Sequence, residues 1–256
     1  MQALTVSLWY LFTMLFTIEY YQRVNVPRPP FGHFNWRDLL FALGMVVAMP
    51  FFYLALPTLG VTIVFGLFWL MLLYSILSPL VRWSALAGLA VVVAQWFLRT
   101  PWLINLNMLV VGMGVGPTFI KNGLRSGEVC AFAVILMIYD VVATLFAKQM
   151  MPLVIKLVQQ PYFLGFLAGG RLLGAGDVVL SGLFVADMTR SGGRRWGYTM
   201  AVAVVVPLLL TTLSGGFWRE TGIPYLLFAS PVYLVLRWVL ARAQRRGRQT
   251  AAAGNR

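Results

Sequence analysis

Residues 39–81 read LLFALGMVVAMPFFYLALPTLGVTIVFGLFWLMLLYSILSPLV and contain no charged side chain. As a single helix this stretch would extend ~65 Å at 1.5 Å per residue, roughly twice the thickness of the hydrocarbon core of a bilayer. The chain must therefore turn back on itself, and the PTLG sequence at residues 57–60 is the natural place for the turn. We predict two membrane-spanning helices here, over residues 39–56 and 61–80.

The composition of the whole chain agrees with a membrane protein. Of 256 residues, 60% are hydrophobic and only 11% are charged, whereas charged residues make up ~25% of a soluble domain. A soluble enzyme is excluded because its surface could not be covered by so few charged side chains. The single cysteine, Cys130, excludes an internal disulfide, and the single histidine, His33, excludes the multi-histidine sites of zinc enzymes. We expect no cofactor and no metal ion.

The apolar pattern predicts an all-α polytopic membrane protein with about nine spans, each of ~20 mostly apolar residues. The other seven spans are predicted over residues 4–20, 83–98, 103–120, 129–147, 173–188, 198–214 and 223–241. Residues 1–241 then form one transmembrane domain, in which a partly buried approach segment precedes the seventh span. The basic tail, residues 242–256, is expected to be disordered.

The positive charges predict an orientation in the membrane. Most of the 20 Lys and Arg residues fall in one set of alternate loops and in the C-terminal tail. Because positively charged loops remain in the cytoplasm, we predict an outside N-terminus and a cytoplasmic C-terminus. The RAQRRGR sequence at residues 242–248 directly follows a span and lacks aromatic residues, so we interpret it as attracted to anionic lipid. The expected partner is the lipid bilayer, and not a nucleic acid.

Two acidic residues lie inside apolar runs without a basic neighbour, Asp140 in MIYDVVATLF and Asp177 in LLGAGDVVLSGLF. An acid inside a span costs ~2.5–3.5 kcal/mol on insertion scales, so each needs a reason to be there. Asp140 lies ~10 Å before the end of its predicted span, and Asp177 lies in the opening turns of the next. Because consecutive antiparallel helices are usually neighbours, the two carboxylates can face each other.

A pair of carboxylates in a site of low dielectric constant has a defined chemistry. The two groups share one proton and titrate as a coupled pair, so that one acts as a base and the other as an acid. This arrangement activates water against an amide carbonyl, as in aspartic proteases. Gly174 and Gly176 leave room before Asp177 for another backbone or an extended substrate, although flexibility or packing at the helix start is the alternative explanation.

Other features have structural interpretations. Asp187 precedes Arg190 by three residues, a helical spacing that permits an ion pair, and Glu19 is expected to reach the membrane interface near Arg23. A separate group of three glycines in the fifth span either permits the close approach of another helix or loosens the helix end. These are Gly112, Gly114 and Gly116.

The two acid-bearing segments resemble the presenilin and signal peptide peptidase family of intramembrane aspartyl proteases, including its prokaryotic and archaeal members. YD at residues 139–140, with the segment YDVVATLFAKQMM, is similar to the family's first motif, and GAGD at residues 174–177 is similar to its GxGD motif. The family's Pro-Ala-Leu motif falls on residues 224–226, where Tyr225 replaces the usual Ala. The resemblance extends from about residue 108 onward and implies catalytic residues Asp140 and Asp177. It also implies active-site support from Tyr139, Gly174, Gly176, Pro224 and Leu226.

The resemblance implies an aspartic endopeptidase that cleaves the transmembrane helices of other proteins, and the predicted orientation favours substrates of type II. A prepilin or preflagellin peptidase also carries GxGD, but its usual Lys two residues after the Asp is Val179 here. A proton-coupled secondary transporter could use the same two aspartates, although no inverted repeat is evident. An HExxH pair and an intramembrane histidine are both absent from the sequence, which excludes zinc and rhomboid-type proteases.

Overall fold

The structure is a computed structural model of the chain. It describes residues 2–26, 55–98, 100–145, 165–168, 171–213 and 225–254, together with a few positions between residues 37 and 48. Within these residues the elements are α1 (Gln2–Arg23), α2 (Thr58–Leu77), α3 (Ser84–Leu98), α4 (Pro101–Lys121), α5 (Ser126–Leu145), β1 (Gly165–Ala168), β2 (Arg171–Gly174), α6 (Ala175–Gly192), α7 (Arg194–Leu213) and α8 (Leu226–Gly254). The predicted helical membrane fold is confirmed. The predicted count of nine spans is not tested, because the span over residues 39–56 lies outside the described residues.

Several helices are long and apolar enough to cross a membrane. Among the described residues these are Thr58–Leu77, Pro101–Lys121 and Leu226–Gly247, and Ser84–Leu98 is a shorter apolar helix. Large apolar side chains also lie on the outside of the bundle, and Leu67 on α2 is 63% exposed. An apolar outer surface of this kind requires lipid around it. The chain is therefore an integral membrane protein.

Proline residues mark the helix boundaries that the sequence predicted. Pro57 is the N-cap of α2 and has extended backbone angles of φ −64° and ψ 154°, which agrees with the predicted turn. Pro101 is the first residue of α4. A backbone N–H group at this position would have no partner within the helix, so proline costs no helical hydrogen bond here. Pro79 comes directly after the residue that caps the C-terminal end of α2.

The region before the seventh span differs from the prediction. Instead of a helix from residue 173, β1 and β2 form an antiparallel hairpin in which Gly165 pairs with Gly174 and Phe166 pairs with Leu173. Phe166 is completely buried and stacks on Trp9 of α1, with 6.4 Å between the ring centroids. Apolar runs of four residues suit a buried strand as well as a helix, so hydrophobic periodicity alone did not separate the two.

The C-terminal tail also differs from the prediction. The expected disordered segment from residue 242 continues α8 without a break as far as Gly254. Alanine, arginine and glutamine, which dominate this segment, are strong helix formers. A preformed span provides the costly helical nucleus, so these residues only have to extend an existing helix.

Helix α6 lies at the centre of the bundle, where it packs against α1, α4 and α7. Every residue from 180 to 189 is buried. The contact between α4 and α6 is made by glycines, because a Cβ atom at Gly116 would lie 2.5 Å from the backbone of Gly182. Of the two explanations for the glycines of the fifth span, close helix approach is correct.

The ion pair that the spacing of Asp187 and Arg190 permits is present, and a second one joins Glu19 to Arg23. Arg190 lies 2.5 Å from Asp187, and Arg23 lies 2.9 Å from Glu19. Arg194 at the start of α7 also pairs with Glu19, which joins α7 to α1. These contacts place acids and bases of three helices at one end of the bundle.

Candidate active site

Asp177 lies in the first turn of α6, directly after the hairpin. Gly174 is the N-cap of this helix, with extended angles of φ −64° and ψ 150°. The backbone of Gly174 forms a hydrogen bond with the Asp177 carboxyl group, which is the geometry of a third-position acid reaching back to the cap. The half-buried carboxyl group is therefore held at the positive end of the helix dipole.

Asp140 lies in the C-terminal part of α5 and contacts a different helix. Its Oδ2 atom accepts a hydrogen bond of 2.8 Å from the backbone N–H group of Leu226, the first residue of α8. The first N–H groups of a helix have no partner inside the helix, so a carboxylate is well suited to accept from them. Asp140 thus connects α5 to the start of the last helix.

The fold brings the two acids together. Helix α5 packs against both α6 and α8, and the carboxyl groups of Asp140 and Asp177 lie within range of direct electrostatic interaction. Each group is anchored by a backbone N–H at a helix start, Asp177 on α6 and Asp140 on α8. The two acids therefore have separate anchors and interact electrostatically with each other.

Tyr225 forms a buried hydrogen-bonded cluster beside the two acids. Its hydroxyl group donates to the Val204 carbonyl oxygen of α7 at 2.6 Å, and lies 2.6 Å from the hydroxyl group of Tyr10 on α1. Since Tyr225 donates to Val204, Tyr10 donates to Tyr225. Tyr225 also interacts electrostatically with Asp177. The residue that departs from the family's usual Ala therefore joins α1, α7 and α8 next to the acid pair.

Space for another chain is present at Gly176. A Cβ atom at this exposed glycine would meet nothing within 4 Å, whereas a Cβ atom at Gly174 would lie 3.4 Å from Oδ2 of Asp177. The side of the first turn of α6 that carries Gly176 is therefore open. Gly174 instead keeps a side chain away from the carboxyl group.

The remaining predicted residues have less direct positions. Tyr139 is half-buried and interacts electrostatically with the neighbouring Asp140. Leu226 is buried and reaches the site through its backbone N–H group. Pro224 lies outside the described residues. Among the described residues there is no group of three or more His, Cys, Asp or Glu side chains that could hold a metal ion.

Sequence reasoning missed Tyr10 and Ser181. Ser181 comes one helical turn after Asp177, is completely buried and lies close to the hydroxyl groups of both tyrosines. Its position four residues after Asp177 places it on the same face of the helix, so the sequence could have pointed to it. Tyr10 carries no such signal, because its partner lies 215 positions away in the sequence.

Comparison with known proteins supports the fold. No family model matches the sequence, and no curated protein matches it. A solved structure of a presenilin family intramembrane aspartate protease in space group C222 superimposes with a TM-score of 0.65 at 18% identity, over 93% of this chain and 100% of that one. A second, in space group P2, has a TM-score of 0.60 at 20% identity, over 92% of this chain and 97% of that one. The resemblance predicted from the sequence is thus confirmed for the fold, and the chain has the fold of presenilin-family intramembrane aspartate proteases.

Proposed function

We propose that this protein is an intramembrane aspartic endopeptidase that cleaves transmembrane helices. The observation that carries the proposal is the meeting of Asp140 and Asp177, which come from different helices and are each held by a backbone N–H group. Such acids are unfavourable in a membrane unless they have a function. The fold shared with presenilin-family proteases supports the same conclusion.

The proposed reaction is hydrolysis by acid–base catalysis. The ionised member of the pair removes a proton from a water molecule, whose oxygen attacks the amide carbon, while the protonated member donates to the carbonyl oxygen. The tetrahedral intermediate then collapses as the amide nitrogen takes a proton and the C–N bond breaks. Because the two carboxyl groups titrate together, each ionisation step belongs to the pair and is not assigned to one of the two aspartates. Tyr139, Gly174, Gly176, Pro224 and Leu226 support these two residues in the proposal.

The substrate in this proposal is an unwound transmembrane segment of a second protein. A peptide bond within a helix is shielded, so the substrate must become extended, and its backbone then needs new partners in a dry environment. The absence of described atoms within 4 Å of a Cβ position at Gly176 supports an approach of such a backbone toward Asp177. We further propose that the N-terminus is outside and the C-terminus cytoplasmic, which favours substrates of type II orientation.

Purified protein in liposomes with a type II transmembrane peptide tests this function. Asp140→Asn and Asp177→Asn should each reduce cleavage by at least a thousandfold while leaving thermal unfolding nearly unchanged, because an amide cannot exchange the proton. Glu19→Gln on α1 is the control acid, because its ion pairs with Arg23 and Arg194 are exposed and lie at the other end of the bundle. Full cleavage by either active-site variant would contradict the proposal. Proton-coupled solute uptake by the wild type, abolished by the same variants, would favour a transporter instead.

A further inference from the structure

Two partly exposed arginines share one buried carboxylate at the end of the bundle away from Asp177. Asp187 comes ten residues later on α6, ~15 Å along the helix, and its side chain is completely buried. Arg190 Nη2 lies 2.5 Å from Oδ1 of Asp187, and Arg237 Nε lies 3.5 Å from Oδ2. Two guanidinium groups thus face one carboxylate, and a buried charge without a counter-charge is unfavourable.

Arg237 is the arginine with spare hydrogen-bonding capacity. Arg190 is well occupied, because its Nη1 donates to the Leu124 carbonyl oxygen at 2.5 Å and its Nη2 also donates to Ser126 Oγ at 3.0 Å. Nη1 of Arg237 is buried and has no hydrogen-bond partner in the described part of the chain. The side chain as a whole is 21% exposed, so an acceptor beside Arg237 would stabilise the protein by drawing this nitrogen outward into a hydrogen bond.

A groove next to Arg237 offers room for such an acceptor. The α5–α8 groove, about 330 Å³ in volume, lies between the first turns of α5 and the middle of α8. It is lined by Ser126, Gly127, Cys130, Leu234, Arg237, Trp238 and Ala241. One wall is thus the start of a helix, where free N–H groups and the helix dipole favour an anion.

The acid nearest to this wall is already occupied. Glu128 is buried in the same turn of α5, but it does not line the groove, and its Oε2 accepts the backbone N–H of Arg125 at 2.7 Å. Asp187 is likewise saturated, because it also accepts hydrogen bonds from Tyr233 and from Ser126. Asp187 is thus the one carboxylate that both arginines share, and Glu128 forms no ion pair with either of them within the described residues.

The rim of the groove has the composition of a membrane interface. Trp238 is 60% exposed, and the guanidinium group of Arg242 lies 5.2 Å from its ring centroid. The basic segment of residues 242–248 follows on the same helix. Tryptophan and arginine at the end of a span mark the headgroup level of a bilayer. The apolar wall formed by Leu234 and Ala241 suits the glycerol and upper acyl region of a lipid.

We propose that the α5–α8 groove binds the phosphate headgroup of an anionic phospholipid, with Arg237 as its main charged contact. The phosphate accepts from the guanidinium group of Arg237 and from the start of α5. The acyl chains leave along the outer surface of α8. This site is separate from Asp140 and Asp177, so it stands whether or not the protein is a protease.

Native mass spectrometry of the purified full-length protein tests the site. The protein in detergent is mixed with equal amounts of palmitoyl-oleoyl phosphatidylglycerol and phosphatidylcholine, and the retained lipid is counted. The wild type should retain phosphatidylglycerol preferentially, and Arg237→Gln should weaken this retention about fivefold. Arg237→Lys should restore part of it. The control Arg82→Gln, which removes an exposed arginine between α2 and α3 and away from α8, should leave retention almost unchanged.

A second variant keeps every charge and blocks the space. A Cβ atom at Gly127 would meet nothing within 4 Å, so Gly127→Leu fills the groove without a clash, and Gly247→Leu is the matched control in the tail. Loss of phosphatidylglycerol in Gly127→Leu alone supports the site. Equal retention of both lipids by the wild type, or wild-type retention by Arg237→Gln and Gly127→Leu, would overturn it. Displacement of the lipid by millimolar inorganic phosphate would overturn the assignment to a lipid in favour of a free anion.

Discussion

At the scale of single residues, Tyr225 links three helices beside the two acids. An alanine at this position could not reach α1 or α7, whereas the tyrosine hydroxyl is bonded to Tyr10 and to the Val204 carbonyl oxygen. The rings of the two tyrosines meet edge to face, 5.9 Å apart. The next residue, Leu226, donates its backbone N–H to Asp140. Tyr225 therefore orients the start of α8 against the acid pair.

Removing the Tyr225 hydroxyl should weaken both the fold and the reaction. Tyr225→Phe leaves the Val204 carbonyl oxygen and the Tyr10 hydroxyl without this partner, so we expect a loss of about 1–3 kcal/mol in unfolding free energy. We also expect kcat for peptide cleavage to fall about tenfold with little change in KM, because the Leu226 N–H is less well oriented toward Asp140. Thermal unfolding in detergent and steady-state cleavage measure the two effects.

Tyr20 is the matched control, because its buried hydroxyl donates to the Ile76 carbonyl oxygen at 2.9 Å, away from the two acids. Tyr20→Phe should lower stability to a similar extent and leave kcat unchanged. A Tyr225→Phe variant with wild-type kcat would refute the orienting role. If both variants reduced kcat equally, the effect would belong to general stability.

The proton sharing proposed for Asp140 and Asp177 predicts a bell-shaped pH dependence of cleavage. At low pH both carboxyl groups are protonated and no base remains, and at high pH both are ionised and no acid remains. The rate should therefore fall on both sides of one optimum. Cleavage by the wild type across a pH series in liposomes checks this, with lipid and peptide held constant. A rate that rises to a plateau and stays there would require only one titrating group.

At the scale of elements, the crossing of α4 and α6 determines where Asp177 lies. Gly116 on α4 meets the backbone of Gly182 on α6, and Gly112 lies opposite Val178, the residue after Asp177. Glycines four residues apart allow two helix backbones to approach more closely than any side chain would permit. Helix α6, which carries Asp177, is therefore positioned mainly by packing.

An added methyl group at this crossing should separate the two helices. At Gly116 a Cβ atom would lie 2.5 Å from backbone atoms of residues 182 and 183, which cannot move aside as a side chain can. We expect Gly116→Ala to lower the unfolding free energy by about 1–3 kcal/mol and to reduce cleavage. The control Gly247→Ala has open space around its Cβ atom and should be neutral or slightly stabilising. Equal unfolding temperatures for the two variants would show that the contact is looser than described.

At the scale of the whole molecule, the two ends of the bundle have different chemistry. One end holds Asp140 and Asp177, and the other holds Asp187 with the arginines of α6 and α8. Because α6 and α8 each carry residues at both ends, these two helices connect the ion pairs with the site of the two acids. The excess of arginine at the second end also predicts that this end faces the cytoplasm.

Cysteine labelling in intact cells checks that orientation. In a Cys130→Ser background, Thr100→Cys lies in the exposed connection between α3 and α4, and Gly247→Cys lies in the exposed tail. A membrane-impermeant maleimide should label Thr100→Cys directly and Gly247→Cys only after the membrane is permeabilised. The reverse pattern would invert the topology and, with it, the expected type II substrates.

Much of this protein follows from its sequence alone. The uncharged stretch over residues 39–81 predicted the helical membrane class, and prolines near helix ends predicted most helix limits. The spacing of Asp187 from Arg190 predicted their ion pair. All of these are local properties of the sequence. The two acids stood out for the same reason, because a carboxylate in an apolar run is conspicuous without any knowledge of its neighbours.

Only the tertiary structure decided which distant groups meet. The Leu226 N–H on Asp140, the bond between Tyr10 and Tyr225, and the hairpin before Asp177 depend on pairings across long stretches of chain. The continuous helix through the basic tail likewise depends on the span that precedes it. Hydrophobic periodicity records which residues avoid water, but in a bilayer both lipid and protein satisfy that requirement. The pairing of helices is therefore determined by close packing and by a few buried hydrogen bonds, which leave little trace in composition.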